Sequence, residues 1–163
     1  MGVLKNILSN KEHVGLQFIK YMTCGGLAFA TDLTVFYLLA VSVVPSLTQN
    51  DVFAQLLGLD VQPISEAVRL QNFWIGKTCS FTASNTVAYI LNVLFVFKGG
   101  KHKIHHEVAL FFAVSFVAFL LGTWSGDILI RFFGVQTTVS NLTAIVSATL
   151  INYTGRKYFI FHG

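Results

Sequence analysis

The chain has 163 residues, of which 54% are hydrophobic and only 11% charged, with a formal net charge of +4 and a mean hydropathy of +0.66. Ordinary globular proteins carry roughly 25% charged residues, so this composition excludes a soluble domain and points to an integral membrane protein. The basic excess is then a matter of topology, and nucleic-acid binding is not needed to explain it.

A spanning helix needs about 20 mostly apolar residues, and four stretches supply them. The first covers residues 18–44 and is interrupted only by Lys20 and Asp32. It exceeds the roughly 7–15 apolar residues of a signal peptide. The connection that follows, residues 45–72, carries Val52, Phe53, Leu56 and Leu57 at helical spacing. It reads either as a short amphipathic helix on the outer membrane surface or as a plain loop. The second stretch covers 73–97, with Lys77 near its start. A basic link follows over 98–107, with Lys98, Lys101 and Lys103 beside His102, His105 and His106. Its histidines form no firm metal framework and read as a solvated basic segment near anionic lipid. The third stretch covers 108–130, and the fourth 139–161, where Asn152, Arg156 and Lys157 make it the most polar. These runs are too long and too uniformly apolar for the alternating strands of about 10 residues in a membrane barrel. The expected fold is therefore all-α, with four transmembrane helices. Cys24 and Cys79 both fall inside expected spans and read as small buried apolar residues.

Basic residues mark the cytoplasmic side. Lys5, Lys11 and Lys20 precede or open the first span, the three lysines of the link separate spans two and three, and Arg156 with Lys157 lie near the end. Only Arg69, Lys77 and Arg131 belong to the other side. Both termini are expected inside.

The ends of spans two and four are alike. In Tyr89-Ile-Leu-Asn92-Val-Leu-Phe95-Val-Phe97 and Tyr153-Thr-Gly-Arg156-Lys157-Tyr-Phe159-Ile-Phe161, Tyr89 falls on Tyr153, Phe95 on Phe159 and Phe97 on Phe161 without a gap. Aromatic belts explain ring placement but not matched spacing, so two parallel two-helix repeats are expected.

Three stretches carry a family resemblance. Phe18-Ile-Lys20-Tyr21 leads to Gly25-Gly26 and Thr31-Asp32. Asn92 stands before Phe95-Val-Phe97, and Asn152-Tyr153 before Arg156-Lys157-Tyr-Phe159-Ile-Phe161. In order and spacing these resemble the motifs of the GtrA family, which shares its fold with the transmembrane part of some dolichyl-phosphate mannose synthases. The chain departs at Arg156, where the family often has Asn, at Phe95 and Phe159, where it often has Trp, and in the length of the 45–72 connection. The resemblance implies a non-enzymatic, cofactor-free flippase of the bacterial inner membrane. It would move a polyprenyl-phosphate-linked monosaccharide, such as an undecaprenyl-phosphate sugar, from the inner to the outer leaflet for a cell-envelope polysaccharide.

Beside the resemblance, the polar residues have their own chemistry. A carboxylate inside a span costs about 2.5–3.5 kcal/mol on insertion scales, so Asp32 is expected to face the bundle interior, as a coupling group or as half of a static ion pair with Lys77. Asp127 and Arg131, four residues apart near the end of span three, suit an intrahelical pair. Asp32, Lys77, Asp127 and Arg131 together are the candidate translocation path. At the inner ends, Asn92, Asn152, Arg156, Lys157 and Lys98 offer donors and positive charge to a phosphate headgroup, although basic residues also snorkel there and the amides also join helices. Tyr89, Phe95, Phe97, Tyr153, Phe159 and Phe161 are the candidate lipid-chain contacts. Expected partners are the lipid-linked sugar, membrane lipids, a membrane glycosyltransferase and a second copy of the chain. Two other readings remain: a scaffold for a polyprenyl-phosphate glycosyltransferase that transports nothing, and a small proton-coupled drug exporter.

Overall fold

The computed structural model describes residues 14–91, 94–95 and 104–159. Among these the regular elements are all helical: α1 (Val14–Ser42), α2 (Val52–Leu56), α3 (Glu66–Leu91), α4 (Ile104–Phe133) and α5 (Thr137–Phe159). Leu94 and Phe95 form a π-helical turn beyond α3.

Each boundary has a local cause. Pro45 forbids helical backbone at the residue before it, and α1 ends with the amides of Val43 and Val44 both turned to the Leu39 carbonyl. Asp51 caps α2, accepting from the Phe53 amide at 3.0 Å. Ser65 opens α3: its hydroxyl accepts from the Val68 amide at 3.4 Å, and its carbonyl takes the Arg69 amide at 2.9 Å. Gly134, at φ +60°, supplies the left-handed residue that ends α4.

Four long helices overlap the four apolar stretches, with shifted bounds. The largest shift is in α3, which starts at Glu66 rather than at Phe73. Apolarity begins only at Phe73, whereas the helix is set by its cap at Ser65, about two turns upstream. The connection therefore covers 43–65 rather than 45–72, and its helix is confined to Val52–Leu56. Likewise α4 begins at Ile104, so the expected 98–107 link gives His105 and His106 to the first turn of that helix.

Helix α1 packs along α3 and α4 along α5, while a lighter contact between α3 and α4 joins the two pairs. At one end, here the loop end, connection 43–65 meets the Gly134–Gln136 corner between α4 and α5. The core sits there: Phe36, Ala40, Leu47, Ala54, Phe73, Ile130 and Ala144 form one buried cluster.

The α4–α5 crossing is close because Gly122 and Gly126 lie in it. A Cβ at Gly122 would stand 2.6 Å from the Ala144 carbonyl oxygen, and one at Gly126 2.7 Å from that of Ser140. Small residues four apart let membrane helices approach in this way. Among the described residues two segments, Met22–Ser42 and Ala109–Phe133, are long and apolar enough to cross a membrane by length and composition. Helices α3 and α5 are more polar, since α3 buries Arg69, Lys77, Ser80 and Asn85 and α5 buries Thr137, Thr138, Ser140 and Asn141.

Candidate functional site

Asp32 and Lys77 meet at the middle of the α1–α3 pair. Lys77 Nζ donates to Asp32 Oδ2 at 3.0 Å, and the Ser80 hydroxyl donates to Asp32 Oδ1 at 2.9 Å. Only 8% of Asp32 and 5% of Lys77 are exposed. Lys77 also lies 5.6 Å from the centre of the Phe36 ring. From the sequence Lys77 stands near the start of its span; in the structure it lies three turns into α3, because the helix begins at Glu66. Spacing along α3 puts Lys77 and Ser80 on the face toward α1, so both carboxylate oxygens of Asp32 are satisfied.

The second pair of the candidate path is also formed. Arg131 Nε donates to Asp127 Oδ2 at 3.2 Å, four residues apart on α4, with the carboxylate buried and the guanidinium exposed. This pair is not only intrahelical, since Trp74 Nε1 donates to Asp127 Oδ1 at 2.9 Å and ties α4 to α3. The two acidic residues thus serve separate pairs, each anchored to α3.

The residues expected at the inner ends are described only in part. Asn152 is half-buried, and its Oδ1 is buried without a hydrogen-bond partner among the described residues. Arg156 and Lys157 lie in the last turns of α5, as do Tyr153 and Phe159, but their side chains are outside the described residues. Asn92, Lys98, Phe97 and Phe161 lie outside them entirely. Tyr89 packs on Phe112 and Phe111, with ring centres 5.4 and 6.3 Å away, while Phe95 is exposed. Of the cysteines Cys24 is buried, but Cys79 is exposed, contrary to expectation, because it lies off the Lys77–Ser80 face of α3. Among the described residues no cluster of metal-ligating side chains occurs.

Sequence reasoning missed several features. The Gly122-x-x-x-Gly126 spacing was readable as a close-packing motif. Asp51 was readable as a helix cap, but not as what it also is. Its Oδ2 accepts from the Thr138 amide at 2.8 Å, and its Oδ1 accepts from the Thr138 hydroxyl, so that one carboxylate caps both α2 and α5. Arg69, placed by sequence on the non-cytoplasmic side, is buried at the loop end and donates to Glu66 at 2.9 Å and to the Val135 carbonyl at 3.2 Å. Beside this end, an open crevice of about 650 Å³ lies between α1 and α5, walled by Leu33, Tyr37, Leu38, Phe53 and Leu142.

The profile of the GtrA/DPMS transmembrane domain matches residues 64–161. The match takes in Lys77, Ser80, Asp127, Arg131 and Asn152, but begins after α1 and nearly all of connection 43–65, leaving Asp32 and Asp51 outside it. No curated protein and no solved structure matches the chain. With more than half of its length matched, the chain belongs to the GtrA/DPMS transmembrane-domain family, whose members are membrane proteins of polyprenyl-phosphate-sugar metabolism.

Proposed function

We infer that the chain is a flippase that carries a polyprenyl-phosphate-linked monosaccharide from the inner to the outer leaflet of a bacterial inner membrane, for glycosylation of an envelope polysaccharide. In this reading the four long helices cross the bilayer, both termini face the cytoplasm and the loop end faces outward. The basic residues of the sequence support that orientation, and the family membership supports the class of cargo.

The observation that carries the reading is the buried Asp32–Lys77 pair. Ionisable groups inside a membrane bundle are costly and default to function. A buried pair contributes little net stability compared with apolar residues of the same shape, so packing alone does not call for it. A phosphodiester carries one negative charge, as Asp32 does, and can take the place of the carboxylate as the partner of the Lys77 ammonium. Ser80 then keeps one hydrogen bond to the displaced carboxylate. At the inner side Asn92, Asn152, Arg156 and Lys157 receive the headgroup. The crevice beside Leu33 and Tyr37 gives the isoprenoid chain an apolar wall while it stays in lipid. These residues bind and orient, and no bond in the cargo is made or broken.

The test is a liposome assay with purified protein and a labelled undecaprenyl-phosphate hexose, read as exposure of the sugar on the opposite leaflet. Acceleration over empty liposomes that is lost in Lys77→Gln supports the reading. No acceleration, together with co-purification of a membrane glycosyltransferase, replaces it with the scaffold.

A further inference from the structure

Between the Asp32–Lys77 pair and the loop end the bundle is shut in two tiers. The nearer tier is apolar. Phe36 and Phe73 are both fully buried and meet edge to face, with centres 5.9 Å apart, and the Phe73 ring closes against Gly126. The farther tier is connection 43–65 itself. Asp51, fully buried, is bound to both the amide and the hydroxyl of Thr138. Tyr37 donates to the Thr138 hydroxyl at 3.1 Å and stacks on Phe53 with ring centres 3.9 Å apart. The Thr137 hydroxyl donates to the Ser46 carbonyl, and the Val52 amide donates to Gln136 Oε1 at 3.2 Å. Among the described residues, the largest fully buried side chains, from Ser80 and Thr123 through Phe36, Phe73 and Ile130 to Leu47 and Asp51, lie at the ion pair or between it and this end.

We propose that connection 43–65 is a gate over the loop end, that Asp51 is its catch, and that the structure holds the gate shut. The proposal rests on the transport reading above. The bonds that close the gate converge on Asp51 and on the first turn of α5, residues 137 and 138. Losing the carboxylate would therefore strip an acceptor from two helix N-termini at once and free Thr138 for Tyr37 alone. Opening would uncover the Phe36–Phe73 tier and then Lys77, in the order a departing headgroup needs.

Thr123 reports on the gate. It lies one turn from Gly126, on the ion-pair side of the phenylalanine tier, and its hydroxyl is buried without a partner among the described residues. In a Cys24→Ser/Cys79→Ser background, Thr123→Cys in proteoliposomes should react slowly with a membrane-impermeant methanethiosulfonate. Adding Asp51→Ala should raise that rate at least about tenfold, the factor set by one charge-assisted hydrogen bond, with circular dichroism unchanged. Should Asp51→Ala fail to fold, Thr138→Val, which keeps the carboxylate, carries the same test. Equal labelling with and without the catch overturns the gate and leaves a static cap. A second arm uses Asp51→Cys/Thr138→Cys in the same background: the oxidised protein should stop moving the labelled undecaprenyl-phosphate hexose, and reduction should restore it. Transport unaffected by oxidation overturns the gate. Absence of transport in the unmodified chain overturns the flippase reading instead, and the labelling arm still decides the gate.

Discussion

Trp74 and Asp127 are joined by a hydrogen bond of 2.9 Å from the indole nitrogen to a carboxylate oxygen, across the contact between α3 and α4. That contact is lighter than the packing within either helix pair, so a single polar bond there has unusual leverage on how the two helix pairs sit together. Hydrogen bonds to charged groups contribute about 1.5–3 kcal/mol. Trp74→Phe should lower stability by that order in a denaturation titration in detergent. In a double-mutant cycle with Asp127→Asn, the two losses should fall well short of additive. Strict additivity would mean that the indole and the carboxylate do not act on each other.

Gly122 and Gly126 should resist even the smallest substitution. Gly122→Ala brings its Cβ to 2.6 Å from a backbone oxygen and 2.8 Å from the Ala148 side chain. The helices must separate, at a cost of about 1–3 kcal/mol, as for other overpacked sites. A Cβ added at Gly25 or Gly26 would meet nothing within 4 Å, so Gly25→Ala and Gly26→Ala should stay within about 0.5 kcal/mol of the parent. Thermal melts of the four variants check this, and a mild effect at Gly122 would count against the close crossing.

These glycines also mark the limit of what the sequence displays. Hydropathy located four long helices, and the Asp32–Lys77 and Asp127–Arg131 pairs follow from carboxylates and cations in otherwise apolar runs. The start of α3 did not follow, because a helix is bounded by caps such as Ser65 and not by where apolarity begins. Trp74, Ser80 and Thr138 carry no unusual chemistry of their own. Their importance comes from partners 53, 48 and 87 residues away in the chain, and no local pattern encodes those distances.

Asp32 and Lys77 should separate stability from transport. Removing one partner leaves a buried charge unpaired, so Asp32→Asn or Lys77→Met alone should cost about 3–5 kcal/mol. The double variant Asp32→Asn/Lys77→Met should regain most of that loss in the same denaturation assay while transporting nothing in liposomes. Full transport by the stable double variant would reduce the pair to a structural element.

Asn152 offers the opposite sign. Its side-chain oxygen is buried with no partner among the described residues, and such an acceptor costs about 1–3 kcal/mol. Asn152→Leu should therefore leave stability equal or higher by up to that amount, yet slow transport of the labelled lipid by at least about tenfold, as expected for a lost hydrogen bond to a charged headgroup. A variant that is more stable and equally fast would remove Asn152 from the headgroup site.

The double capping by Asp51 bears on where this protein can be cut. The matched segment begins at residue 64, yet the first turn of its final helix is completed by Asp51 and by the Ser46 carbonyl, both upstream of that point. A fragment trimmed to the domain boundary would expose the Thr137 hydroxyl and the Thr138 amide and would lose Leu47 and Ala54 from the core. In this chain the last helix depends on residues upstream of the matched segment, and during synthesis it finds its cap waiting in a segment made long before it.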